Sequence, residues 1–193
     1  AGPLILVDAG HGGSDPGMIG VSGLEEKGIN LSISLLLRDT LEKSGYSVIM
    51  TREEDKGLYD SSAANKKAQD MQRRIAMIRE HAPVLSVSIH QNSYQDAGVH
   101  GPQVFYYESS VEGKKLAEAV QSSLNNQLEV DRPREVKGNT SYYLLKRSSG
   151  TLVIVECGFL TNPEEAQKLQ TKEYQEKVAA AVSEGIRTYL NVQ

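Results

Sequence analysis

The sequence predicts an α/β fold: a single domain over residues 1–193, in which a mostly parallel twisted sheet of about six strands is flanked by about five helices. Short apolar runs alternate with longer stretches whose apolar residues recur every three or four positions, a pattern that indicates strands alternating with helices. The run TLVIVECGF at 151–159 has apolar residues on both faces, which is typical of a central strand in a parallel sheet. A chain of 193 residues is long enough to bury a sizeable core in one domain.

Each element follows from a local pattern. Strands are predicted where short apolar runs are bounded by turn residues, at 4–8, 46–51, 84–90, 103–107, 142–146 and 152–157. Helices are predicted at 26–43, about 64–80, 111–126, 163–169 and 172–190. In the last helix, Val178, Val182 and Ile186 fall at four-residue steps and form an apolar stripe.

The short helix at 163–169 carries its own start signal in the sequence TNPEEA. Asn162 can cap this helix, Pro163 suits its first position, and Glu165 can complete a capping box.

Composition narrows the classes of function. The net charge is -4 and the pI is about 5.6, which argues against nucleic-acid binding. One cysteine excludes an intrachain disulfide and a cysteine-based zinc site. There is no apolar run of about 18 residues, so we expect no transmembrane segment. No signal-peptide pattern is visible, and a start almost directly on a strand is compatible with an export or anchor segment that is removed.

A glycine-rich loop, GHGGSD at 10–15, follows the first predicted strand. Such a loop can hold a phosphate, but Asp15 stands where a dinucleotide-binding loop has its third glycine. The chain continues into DPG, a turn sequence, so no helix N-terminus follows to receive a phosphate. The alternative is that the glycines leave space around His11, which could then bind a metal if partners exist.

A second histidine ends the predicted strand in VLSVSIHQN, residues 84–92. Because side chains alternate along a strand, Leu85, Val87 and Ile89 share one face, whereas the serines and His90 share the other. The carboxyl edge of an α/β sheet is where ligands bind, which makes His90 a candidate ligand. The alternative is that the face with the serines and His90 is exposed to solvent and binds no ligand. We expect the other histidines, His81 and His100, at the surface.

A carboxylate lies on the apolar side of the predicted helix at 26–43. At 100° per residue, Glu26 lies close to the centre of the stripe that continues through Ile29 and Ile33, whereas Glu25 lies well away from it. We therefore expect Glu26 to point toward the core. The alternative is a charge that only favours the helix N-terminus, in which case Glu26 would be partly wet.

A second acid, Glu156, interrupts the predicted central strand on the face of Leu152 and Ile154. Burial of an unpaired carboxylate is costly and raises its pKa, so Glu156 is a candidate functional residue. An ion pair with an arginine such as Arg74 is the alternative. We expect Cys157 to pack as a small hydrophobe rather than to act as a nucleophile.

Four segments in this order, DAGHGG, LEEKGINL, SIHQN and VECGFLTN, resemble the motif set of the zinc-dependent N-acetylmuramoyl-L-alanine amidases, the type 3 cell-wall amidases. The similarity extends over nearly the whole chain and includes RRIAMI before the second histidine strand. The chain differs at Ala9, where the family usually has proline, and at Cys157, where it usually has a hydrophobe.

The resemblance implies that His11, Glu26 and His90 bind Zn²⁺ and that Glu156 is the catalytic carboxylate. It also implies the reaction, which is hydrolysis of the amide bond between the lactyl group of N-acetylmuramic acid and the L-alanine of the peptidoglycan stem peptide. A glycosidase would need two carboxylates flanking the sugar, and only one convincing buried acid lies outside the ligand set. A zinc peptidase acting on other peptides and a non-enzymatic cell-wall-binding module are the alternatives.

The segment YDSSAANKKAQDMQRRIAMI at 59–78 resembles most closely the germination-specific amidases of spore formers. This resemblance implies a function in spore cortex maturation, in muramic lactam formation, and a location outside the cytoplasm such as the forespore intermembrane space. The segment at 53–70 is too short for the helix that blocks the zinc in some cell-division relatives. We therefore expect a catalytic domain that does not block itself and that a partner protein activates.

Overall fold

The chain folds into three layers, described by a computed structural model for residues 2–191. Over these residues it forms six strands: β1 (Leu4–Ala9), β2 (Ser47–Met50), β3 (Leu85–Asn92), β4 (Gln103–Tyr107), β5 (Lys137–Asn139) and β6 (Leu152–Phe159). It also forms six α-helices: α1 (Glu26–Lys43), α2 (Lys66–His81), α3 (Val111–Gln127), α4 (Tyr143–Arg147), α5 (Pro163–Leu169) and α6 (Lys172–Asn191). None of the helices within the described part of the chain is both long and apolar enough to cross a membrane.

The strands form one sheet in the order β2-β1-β3-β6-β4-β5. β1, β2, β3 and β6 run parallel, β4 is antiparallel to β6, and β5 is parallel to β4. The predicted α/β class with a mostly parallel sheet is thus confirmed. In register, Ala9 lies beside Ile89 and His90 lies beside Glu156. The carboxyl ends of β1, β3 and β6 therefore meet at one edge of the sheet.

Each face of the sheet is covered by helices. The larger core joins one face to α1, α3 and α6, and it includes Ile33, Val87, Val120, Val155 and Val182. The smaller core joins the other face to α2 and α4, and it includes Leu6, Ile78, Phe105, Leu145 and Ile154. Because side chains alternate, Asp8, Ser88 and Glu156 lie on the face that α2 and α4 cover. The alternative, in which this face of β3 is exposed to solvent, is wrong, because Ser88 is fully buried.

One predicted strand, at 142–146, is wrong, since this segment is the helix α4. A short apolar run does not distinguish a buried strand from a buried helical turn, and here Leu144 and Leu145 both enter the smaller core. The chain turns just before the helix, where the side-chain oxygen of Asn139 accepts hydrogen bonds from the backbone N–H groups of Ser141 and Tyr142 at 2.9 and 2.7 Å. The sixth strand is instead β5, whose sequence KGN carries no apolar pattern.

The start of α5 is partly as predicted. The side chain of Asn162 accepts a hydrogen bond from the backbone N–H of Glu165 at 2.9 Å, and Pro163 occupies the first turn. The predicted capping box is wrong, because the carboxylate of Glu165 instead accepts from the backbone N–H groups of Gly101 at 3.0 Å and Phe159 at 2.6 Å. Glu165 thus joins the end of β6 to the loop before β4.

Candidate metal centre

The loop after β1 presents His11 at the carboxyl edge of the sheet. His11 has a φ of 64°, in the left-handed region that residues with a β-carbon rarely adopt. Its Nδ1 donates to Oδ2 of Asp15 at 2.8 Å, and Asp15 in turn accepts from the backbone N–H of Gly17 at 3.0 Å. Since Asp15 engages Nδ1, the other ring nitrogen faces Glu26, with Nε2 3.4 Å from Oε1.

Two glycines of this loop, Gly10 and Gly17, leave room for the imidazole rings of His90 and His11. A β-carbon at Gly10 would lie 2.3 Å from Cε1 of His90, and one at Gly17 would lie 2.7 Å from Cδ2 of His11. A side chain at either position would displace an imidazole. The glycines of this loop therefore leave space for side chains, which supports the metal-ligand interpretation over a phosphate-binding loop.

Glu26 begins α1 and is only 3% exposed, so the interpretation as a partly wet dipole charge is wrong. Its Oε1 accepts from the backbone N–H of Met18 at 2.9 Å. Its Oε2 accepts from the backbone N–H of Gln91 at 2.9 Å and from Nδ2 of Asn30 at 3.1 Å. Burial opposes ionisation, but the hydrogen bond and charge of His90 and the N–H of Gln91 lower the pKa of Glu26 to about 2. Glu26 is therefore a buried carboxylate that stays ionised.

His90 completes the group from β3, with its Nδ1 3.2 Å from Oε2 of Glu26. Burial lowers the pKa of His90, but the hydrogen bond and charge of Glu26 outweigh burial and raise it to about 9. Without a metal ion, His90 therefore holds a proton at neutral pH. A metal ion binding there would have to displace that proton.

These three side chains converge. His11, Glu26 and His90 each offer one ligand atom, and the three atoms lie within 4.8 Å of one another. The two imidazole rings cross at 87° with centroids 5.1 Å apart. Among residues 2–191, no other group of three or more histidine, cysteine or acidic side chains converges in this way. Two imidazole nitrogens and one carboxylate oxygen form the ligand set of many catalytic zinc sites, so this donor set suits a zinc ion.

Glu156 lies beside His90 on the neighbouring strand and is 8% exposed. Its Oε2 is buried and has no hydrogen-bond partner among the described residues. Burial raises the pKa of Glu156 to about 7, against the lowering effect of the charge of His90. A carboxyl group with a free oxygen at this edge can take up and release a proton near neutral pH.

Two buried arginines, Arg52 and Arg74, fasten the backbone around His11, and we call them the arginine clamp. Arg52 donates to the carbonyl oxygens of Ala9 at 2.9 Å and Gly10 at 3.0 Å. Arg74 donates to the carbonyl oxygens of Ala9 and His11, both at 2.7 Å. The clamp thus satisfies carbonyl groups that leave the sheet at the end of β1.

The charge of Arg74 is balanced by Asp8, 2.7 Å away, and by Asp70, 2.8 Å away. The predicted alternative, an ion pair between Arg74 and Glu156, is therefore wrong. Burial raises the pKa of Asp8, but Arg74 and hydrogen bonds from Ser88 and other neighbours lower it to about 2.

A cavity of about 440 Å³ opens beside these groups. Its lining includes the first half of α2 and, at the start of α4, Tyr142 and Tyr143. His90 and Glu156 also line the cavity. The cavity can therefore bring a ligand to the converging side chains.

The remaining candidates from the sequence lie elsewhere. His81 is exposed at the end of α2, and His100 pairs with Asp131 at 3.1 Å on the surface. Cys157 is fully buried in the larger core, on the opposite side of β6 from Glu156, and burial raises its pKa. As expected, these three residues do not join the converging group.

The centre also contains residues that the sequence does not predict as part of a site. Asp15 carries a local signal, because it is a carboxylate four residues after a histidine in a turn. Asn30, one helical turn after Glu26, carries a similar local signal. Arg52 and Lys67 carry no such local signal, because the fold brings them to the site from other segments of the chain.

Comparisons with known proteins agree with this geometry. The family described as N-acetylmuramoyl-L-alanine amidase matches residues 5–188. The germination-specific N-acetylmuramoyl-L-alanine amidase of Bacillus subtilis is 36% identical over 192 residues, which cover 98% of this chain and 80% of that protein.

Solved structures extend the comparison to the fold. The CwlD amidase from Clostridioides difficile, solved in complex with the GerS lipoprotein, has a TM-score of 0.96 at 38% identity and covers 99% of this chain and 100% of that one. The amidase AmiC2 of Nostoc punctiforme has a TM-score of 0.85 at 31% identity, with 98% and 97% of the two chains covered.

Proposed function

The chain belongs to the N-acetylmuramoyl-L-alanine amidase family, and we propose that it uses zinc to hydrolyse the amide bond between the lactyl group of N-acetylmuramic acid and L-alanine in peptidoglycan. One observation carries the zinc-dependent part of this proposal. It is the convergence of His11, Glu26 and His90 within 4.8 Å beside a buried carboxylate, Glu156, that has a free oxygen.

His11, Glu26 and His90 would hold the zinc ion. Asp15 orients His11 by accepting from its Nδ1, and the backbone N–H groups of Met18 and Gln91 orient the carboxylate of Glu26. A bound zinc ion supplies Lewis-acid chemistry, which polarises a carbonyl group and makes water acidic near neutral pH.

Glu156 would move the proton. The oxygen of water attacks the lactyl carbonyl carbon, and Glu156 accepts the proton that this water loses. Glu156 then donates the proton to the nitrogen of L-alanine as the carbon–nitrogen bond breaks. The second proton of the water also ends on this nitrogen, so the products are a lactyl carboxylate and a protonated amino group on L-alanine, and atoms and charges balance. The free Oε2 of Glu156 supports this role because no neighbouring group competes for it.

The biological setting is part of the same proposal. The similarity to a germination-specific amidase supports a role in spore cortex maturation, in which stem peptides are removed before muramic lactam forms. Such a substrate lies outside the cytoplasm, which supports a location of the enzyme there. The complex of the Clostridioides difficile amidase with a lipoprotein supports an activating protein partner for this chain as well. We propose residues 1–193 as one catalytic domain.

Digestion of purified muropeptides tests the function. We expect the zinc-loaded protein to release stem peptides with a new L-alanine amino terminus, and a chelator to abolish this release. Mass spectrometry of the products identifies the bond broken. Products cut only between amino acids would instead establish a zinc peptidase. A protein that binds cell wall, releases nothing and holds no zinc would be the non-enzymatic module.

A further inference from the structure

The cavity beside the metal centre is lined by more acidic than basic side chains. Its acidic residues are Asp8, Asp15, Glu26, Asp70 and Glu156, and its basic residues, histidines apart, are Lys67 and Arg74. Four of these carboxylates are paired with Arg74 or with a histidine, so the lining attracts an anionic ligand only where a positive group has no partner of its own.

Arg74 cannot be that group. Its guanidinium donates to Asp8 and Asp70 and to the carbonyl oxygens of Ala9 and His11. Because these bonds engage all three of its nitrogens and the side chain is 2% exposed, Arg74 is committed to the fold.

Lys67 differs from Arg74 both in its exposure and in its hydrogen bonding. It is exposed on the first turn of α2, and within residues 2–191 its ammonium group makes no hydrogen bond or ion pair. Lys67 lines the same cavity as His11, Asp15 and Glu156. Its ammonium group is therefore available to a ligand that occupies the cavity beside the metal centre.

The proposed substrate carries a negative charge that can pair with the ammonium group of Lys67. In the peptidoglycan stem peptide, the residue after L-alanine is a D-glutamate whose side-chain carboxyl continues the chain, so its α-carboxylate is free. This carboxylate lies one residue from the scissile bond, on the leaving-group side. Among the described lysines and arginines that line the cavity, Lys67 is the one without a partner, so it is the side chain that this carboxylate would pair with.

We propose that Lys67 binds this free α-carboxylate and makes the enzyme selective for acidic over amidated stem peptides. The inference rests on the proposed function, since it names a determinant of specificity within the same cavity. The position of Lys67 in the first turn of a helix adds to the attraction, because the helix N-terminus also favours negative charge.

The test uses two muropeptides that differ only in the second stem residue, which carries either the α-carboxylate or the carboxamide. We expect the zinc-loaded wild-type enzyme to prefer the carboxylate by about tenfold in kcat/KM, which corresponds to ~1.4 kcal/mol. Lys67→Met should remove this preference by slowing cleavage of the acidic substrate alone, mainly through KM. Lys67→Arg should restore the preference, because the charge is retained.

Lys66 provides the matched control. It is the preceding residue of α2, it lies over the ring of Tyr59, and it does not line the cavity. Lys66→Met should keep the full preference. If Lys67→Met also keeps it, or if the wild-type enzyme cleaves the carboxamide equally well, Lys67 does not bind the carboxylate, although the amidase function would stand. If the wild-type enzyme cleaves neither substrate, the proposed function fails and this inference fails with it.

Discussion

At the scale of single residues, the two buried glutamates of the centre differ in what surrounds their carboxylates. Glu26 accepts hydrogen bonds from two backbone N–H groups and one amide side chain, so its ionised form is stabilised. The Oε2 of Glu156 has no partner, and burial raises its pKa to about 7. A glutamate thus suits the role of metal ligand at position 26 and the role of proton carrier at position 156.

Glu156→Gln should separate these two roles. The amide is similar in size but cannot accept and return a proton, so we expect turnover of muropeptides to fall by about 10²–10⁴-fold. Zinc content should stay at the wild-type level, because Glu156 is not a proposed ligand. Steady-state kinetics and metal analysis on the same preparation measure both quantities. Glu25→Gln, at an exposed position, is the control. Wild-type turnover in Glu156→Gln would remove Glu156 from the mechanism.

Asp15 should tune the affinity for the metal through His11. Because Asp15 fixes which ring nitrogen of His11 is free, we expect Asp15→Ala to weaken zinc binding by about 10–100-fold. Competition with a chelator of known affinity measures the change. Asp131→Ala is the matched control, since Asp131 also bonds a histidine, His100, but on the distant surface. Equal zinc affinities for the two variants would show that Asp15 does not orient the ligand.

At the scale of elements, the end of β1 is held by side chains from two distant segments. Arg52 follows β2 and Arg74 lies within α2, and both donate to the backbone carbonyl oxygen of Ala9. The arginine clamp therefore fixes the loop that carries His11, whose φ of 64° is unfavourable without such support.

Arg74→Met should destabilise the fold strongly. It leaves Asp8 buried without its cation, and removal of one partner of a buried ion pair costs about 3–5 kcal/mol. Urea unfolding of the zinc-free protein measures this free energy without a contribution from the metal. Arg73→Met is the control, because Arg73 is adjacent but pairs with Asp60 on the surface, so little change is expected. Similar unfolding curves for the two variants would contradict a structural role for the clamp.

Local sequence patterns predict the longer helices and strands but not the shortest ones. The periodicity of α1 and α6 and the apolar runs of β1, β3 and β6 are strong, and those elements were predicted close to their observed bounds. α4 and β5 were missed because five and three residues are too few for a period to be recognised. Burial of Leu144 and Leu145 against α2 and the sheet, rather than intrinsic preference, determines the conformation there.

At the scale of the whole molecule, parallel strands collect the candidate residues. β1, β3 and β6 are neighbours and run in the same direction, so residues at their carboxyl ends meet although they are far apart in sequence. Because His90 and Glu156 are register partners on β3 and β6, their side chains lie on the same face of the sheet. The patterns within each strand and helix, together with the family resemblance, predict the four central side chains from the sequence.

The surroundings of the centre could not be predicted in this way. Arg52, Arg74 and Lys67 act from segments whose positions depend on how the helices pack across the sheet. Long polar side chains are also usually solvated, so nothing in the sequence distinguished the buried Arg74 from its exposed neighbour Arg73. Contacts of this kind can be identified only from the tertiary structure.

The most direct test of this account is the zinc stoichiometry of the purified protein after reconstitution and gel filtration. We expect one zinc ion per chain in the wild type, and a loss of most of this zinc in each of the folded variants His11→Ala, Glu26→Gln and His90→Ala. Circular dichroism of each variant confirms that the fold is retained. A full zinc ion in any of the three variants, or none in the reconstituted wild type, would contradict the proposed metal centre.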